Sequence, residues 1–122
     1  MSRTLLKRCL KAAQKLAPLY RQSHTPFALP ELLQKFDIHQ VRERLLDRDA
    51  RLILEDGRAI IEVNSLFPTE RRRFSVAHEL GHIILNECAG RDRFSISYGD
   101  PVEESYCDRI AEILVAANEP LR

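Results

Sequence analysis

Residues 78–82 read His-Glu-Leu-Gly-His, and no other stretch of the chain restricts its fold as tightly. Two histidines four positions apart face the same way on an α-helix, about 40° and one turn from each other. So placed, two neutral imidazole nitrogens hold one tetrahedral zinc at about 2.0–2.1 Å. Glu79 follows the first histidine and lies beside the metal's open position, where a carboxylate takes the proton of an attacking water and hands it to a leaving amine. The motif therefore needs a helix, and a second element that brings a third ligand to it. The plainer alternative is a pair of surface histidines beside an acid, and a third ligand decides between the two.

From Thr69 the apolar period is helical, with Phe74, Ala77, Gly81, Ile84 or Leu85, and Cys88 on one stripe. Thr69 after Pro68 reads as the N-cap, and Gly90 closes the helix. Asp100-Pro101-Val102-Glu103 then supplies an N-cap, a proline at the first helical position and an acid at the third. That last helix is expected to run to about Ala117, before Pro120. Glu104 and Asp108 lie one turn apart on it, so one carboxylate can reach a metal while the next holds a histidine N–H. Glu87 points about 140° away from His82 and cannot share its metal. Asp92 and Asp100 fall in a loop, and Glu103, turned about 100° from Glu104, suits the capping role. His24 and His39 precede the motif, so a third histidine at the metzincin spacing is absent. Glu104 is the expected third ligand, with Asp108 behind a histidine.

Upstream, Leu5, Cys9, Ala13, Leu16 and Tyr20 carry the spacing of an amphipathic helix over residues 2–20. A loop with His24, Thr25 and Pro26 leads to a short helix from Pro30 to Lys35. Ile38 to Leu46 carries a weak strand signal, and residues 51–55 and 58–64 flank Asp56-Gly57, a two-residue hairpin turn. The expected fold is α+β in a single domain over residues 1–122. It has helices and a small three-stranded antiparallel meander sheet, with the His-Glu-Leu-Gly-His helix packed on the sheet.

Composition narrows the setting. No apolar stretch is long enough to span a bilayer, and no apolar core with a cleavage site follows Met1, so a cytoplasmic protein is the expectation. Cys9, Cys88 and Cys107 are odd in number and unpaired in spacing, as expected of reduced thiols. The 19 Lys and Arg against 18 Asp and Glu leave +1. That argues against nucleic-acid binding driven by overall charge and leaves room for a local basic patch. Arg71-Arg72-Arg73 opens a helix, where cations oppose the macrodipole. A solvated face, with Arg73 packing or pairing with nearby acids, is favoured over a grip on an acidic substrate or a phosphate. Cys107 is expected to pack as a small apolar residue rather than to act as a redox sensor. Tyr98 in the loop is the nearer phenol for steadying an oxyanion, because Tyr106 is turned about 200° from Glu104. His24 and His39 read as surface or hydrogen-bonding residues.

Arg73-Phe74-Ser75-Val76-Ala77-His78-Glu79-Leu80-Gly81-His82 resembles the signature of the ImmA/IrrE metallopeptidase family, and residues 104–114 resemble its third-ligand helix. The order of helices, hairpin and metal helix is similar as well. The resemblance implies a gluzincin-like, minimal zincin core with Zn2+ on His78, His82 and Glu104 and with Glu79 as general base. It also implies a protein substrate, a helix-turn-helix (XRE-type) repressor, and hence a part in transcription regulation. Two departures stand out. Leu114-Val115-Ala116-Ala117 replaces the family's Leu-Leu-Met-Pro ending, and the sequence stops at Arg122 where many relatives continue, as in a minimal member or a fragment. The expected activity is zinc-dependent endoproteolysis of a regulatory protein. The alternative is a binding module that antagonises the repressor by contact alone, and the intact Glu79 favours the enzyme. Direct nucleic-acid binding is not expected, through the arginine run or otherwise, nor is a membrane partner.

Overall fold

A computed structural model describes residues 2–22 and 30–116. Helix α1 spans Arg3–Arg21 and begins where the Ser2 hydroxyl accepts from the Leu5 amide at 3.1 Å. Its apolar side, Leu5, Cys9, Ala13, Leu16 and Tyr20, is buried. Helix α2 is Pro30–Lys35. The stretch holding His24, Thr25 and Pro26, and the last helix's expected end at Ala117, lie outside the described residues.

Strands β1 (Ile38–Arg44), β2 (Ala50–Glu55) and β3 (Arg58–Asn64) form one sheet in the order β1-β3-β2. Asp56 and Gly57 both take positive φ, 51° and 78°, which a two-residue hairpin turn requires. The expected antiparallel meander is corrected here. β2 pairs with β3 antiparallel, but β1 lies on the far side of β3 and runs parallel to it, so the sheet is mixed. The physical reason is a crossing loop. Residues 45–49 pass over the end of β3, where the buried Asn64 side chain donates to the carbonyls of Leu46 and Arg48 at 3.0 and 2.9 Å. β3 is consequently the central strand, buried from Ala59 to Asn64.

Helix α3 is Thr69–Cys88 and helix α4 is Pro101–Ala116. α3 contacts β2 and β3 on one side and α4 and α1 on others. Pro68, in extended conformation, occupies the N-cap of α3 without a side-chain bond, so Thr69 begins the helix rather than capping it. Gly81 sets the distance between the two site helices. A Cβ there would lie 3.0 Å from the Cys107 carbonyl oxygen and 3.2 Å from its Cα. Among the described residues no helix is long and apolar enough to cross a membrane.

Candidate metal centre

The helical spacing of the motif puts both imidazoles on the side of α3 that faces the first turns of α4. His78 Nε2 lies 2.6 Å and His82 Nε2 lies 3.2 Å from the same atom, Oε1 of Glu104. The other ring nitrogens are also engaged, His78 Nδ1 with Asp108 Oδ1 at 2.7 Å and His82 Nδ1 with Glu103 Oε2 at 3.0 Å. A neutral imidazole has one donor and one acceptor nitrogen. If each Nδ1–H donates to its carboxylate, both Nε2 lone pairs point at a carboxylate oxygen, and only a cation among them relieves the repulsion. Burial raises the Glu104 carboxyl, but the Gly99 amide at 3.1 Å and the two histidines outweigh it and hold the group below the usual carboxylate range. The donor set of two imidazoles and one anionic carboxylate fits a divalent metal of zinc type.

Glu103 is not the cap that the sequence suggested. Asp100 Oδ1 accepts from the amides of Val102 and Glu103 at 3.0 and 3.3 Å, and this leaves the Glu103 side chain free to turn inward. It is 1% exposed, and its second oxygen lies 3.5 Å from the Arg91 guanidinium. One signal pointed there: two metal-binding histidines need two carboxylate or carbonyl partners behind them, and Asp108 can serve only one.

Glu79 is 2% exposed, and burial pushes its carboxyl up from the ordinary value despite the opposing hydrogen bond from Tyr98. The Tyr98 hydroxyl donates to Glu79 Oε1 at 2.5 Å and accepts from the backbone amide of Leu52, on the edge strand β2, at 2.7 Å. Burial and the adjacent Glu79 raise the phenol's own pKa. The segment carrying Tyr98 is tied down by Asn86, whose Nδ2 donates to the carbonyls of Arg93 and Ser95. Glu79 and Tyr98 border a cleft of about 400 Å³, with Arg48 and Ala50 from the sheet side and Phe74 and His78 from α3.

Cys107 has no exposed surface and packs against Gly81. Its sulfur lies within 4.8 Å of ligand atoms of His78 and His82, so by distance it competes with Glu104 as third donor. Burial and the surrounding carboxylates, Glu103 first, push the thiol up from its ordinary value. Glu104, held anionic, lies with Oε1 at 2.6 and 3.2 Å from the two Nε2 atoms, so the structure offers two third donors at the same pair of histidines. The arginine run proves structural. Arg71 pairs with Asp49 at 2.8 Å, Arg72 with Glu43 at 2.5 Å, and Arg73 bonds the carbonyl of Tyr20 at 3.1 Å. Glu87 pairs with Arg93, and His39 contacts Arg58, both away from the centre.

Residues 33–119 match the family model described as the IrrE N-terminal-like domain, Peptidase_M78. The chain belongs to the Peptidase_M78 family. The match spans every element from the end of α2 onward, including both helices of the centre. A Peptidase_M78 domain is a metallopeptidase-type domain, in keeping with the convergence of imidazoles and carboxylates on α3 and α4. No curated protein matches the chain.

Proposed function

We propose that this Peptidase_M78 chain is a zinc-dependent endopeptidase with a minimal zincin-like core. It acts in the cytoplasm on a regulatory protein of the helix-turn-helix repressor type. One observation carries the reading: His78 Nε2, His82 Nε2 and Glu104 Oε1 converge beside a buried carboxylate, Glu79, at the floor of an open cleft. His78, His82 and Glu104 would hold the metal, which supplies Lewis-acid polarisation of a peptide carbonyl and acidifies water. Glu79, its carboxyl raised by burial, accepts the proton of the attacking water and returns it to the leaving amine. Asp108 and Glu103 fix the tautomers of the two histidines.

Strand β2 is the edge beside the cleft, and an extended substrate can join it as an added strand. The Leu52 amide that such a strand would use is taken by Tyr98. A docking substrate replaces that bond, and the freed phenol can turn to the carbonyl oxygen as it becomes an oxyanion. On this account Tyr98→Phe lowers kcat more than it changes KM.

The test co-expresses the chain with a helix-turn-helix repressor and follows the fragment pattern. Glu79→Gln is expected to retain metal and partner binding, with cleavage reduced by roughly 10²–10⁴-fold. If the variant relieves repression as well as the wild type and neither cuts the partner, contact-only antagonism is the better account.

A further inference from the structure

The chain's near-neutral total hides a segregation of charge. Helix α1 carries Arg3, Lys7, Arg8, Lys11, Lys15 and Arg21 and no acidic residue. Against a chain total of +1, the remainder is strongly acidic. All six cations are exposed, and none forms an ion pair among the described residues. Five arginines of the sheet and α3 behave differently. Arg42, Arg44, Arg51, Arg71 and Arg72 each face a carboxylate.

At about 100° per residue the six fall within an arc of about 140°, opposite the buried stripe of Leu5, Cys9, Ala13, Leu16 and Tyr20. Arg3, Lys7, Lys11 and Lys15 form a straight i, i+4 row, about 6 Å per step and about 18 Å long. Helix stability does not explain the row. Like charges one turn apart repel, and the cations of the first turns oppose the macrodipole.

We propose that the exposed face of α1 docks on the phosphate backbone of a nucleic-acid duplex, without reading sequence. The face holds no aromatic or large aliphatic anchor of the kind that protein interfaces bury at their centre; its other exposed members are Thr4, Gln14 and Pro18. The helix's apolar side is spent on the protein core, so it has none to insert into a lipid interface. What is left is a rail of point charges, half of them lysines, which suits phosphates contacted one at a time. An 18 Å length of B-form duplex carries about ten phosphates, enough for every cation on the face.

The probe is a fluorescent 20-base-pair duplex of arbitrary sequence, followed by anisotropy with the full chain in low salt and then across a salt series. Weak binding is expected, with a log–log salt slope between about −3.5 and −5.5, as four to six phosphate contacts give. Lys7→Glu with Lys11→Glu should weaken binding by more than tenfold. Lys35→Glu with Arg58→Glu, the same change in net charge on α2 and the hairpin, should weaken it by less than threefold. Unchanged circular dichroism of both double variants keeps folding out of the comparison. Absence of duplex binding at low salt, or equal losses in the two variants, overturns the proposal. So does equally tight binding to polyglutamate or to phosphatidylserine vesicles, which would reassign the face to an acidic protein or a membrane surface.

Discussion

Asp108 and Glu103 do the same job for two histidines from different surroundings. Asp108 is half-exposed and meets His78, whereas Glu103 is fully buried against His82. Losing either frees an imidazole to rotate or to change tautomer, and such losses cost roughly 10–100-fold in metal affinity. Asp108→Ala is expected near the lower end of that range and Glu103→Ala near the upper, read by competition with a chromophoric zinc chelator. Affinities equal to wild type in both variants would reduce the two acids to surface and capping roles. The convergence of residues 78, 82, 104 and 108 was legible in sequence because helical spacing alone turns i, i+4 pairs into faces. Glu103 was not, since its position in a capping box is equally well filled when Asp100 does the capping. Which way the freed side chain turns depends on how α4 approaches α3, and that is a matter of tertiary packing. Tyr98 was legible as a nearby phenol, but its bond to Leu52 depends on a loop fold that local pattern does not encode.

At the scale of elements, the hairpin and four helices follow from turn chemistry and period, while the pairing of β1 does not. Chain neighbours were expected to be sheet neighbours. The crossing loop pinned by Asn64 places β3 in the middle instead, and the near-continuous apolar run of Ala59-Ile60-Ile61 with Val63 is the trace of that central position. The α3–α4 contact depends on Gly81. Gly81→Ala is expected to force α4 outward by a few tenths of an ångström at the Cys107 backbone, loosening Glu104 from both histidines. Zinc affinity should fall while the far-ultraviolet spectrum stays helical, and unchanged affinity would show that the two helices give way freely. On the sheet's outer side Glu62 is 1% exposed. Burial raises its carboxyl, but Arg51 and Arg42 at 2.8 and 3.0 Å outweigh that and hold it below the usual range. A folded pKa below the unfolded one adds stability that is present above about pH 4.3 and is lost as the pH falls through the folded value. Glu62→Gln should therefore flatten the acid limb of the stability curve and lower stability at neutral pH by roughly 1–3 kcal/mol, the worth of hydrogen bonds to charged groups. Denaturant titrations from pH 3 to pH 7 measure both effects.

For the whole molecule, the sheet, α3 and α4 meet at one cleft, and the account rests on a metal joining α3 to α4 there. Metal bound only to the folded state stabilises it by mass action, so a metal on His78, His82 and Glu104 would link the site to the fold. The most direct measurement is the zinc content of purified, zinc-reconstituted protein and four variants, determined by elemental analysis after removal of free metal. About one zinc per chain is expected for the wild type, for Glu79→Gln and for Cys107→Ser, with loss in His82→Ala and Glu104→Ala. A wild type that holds no zinc, or a Cys107→Ser variant that loses it while Glu104→Ala keeps it, would contradict the account.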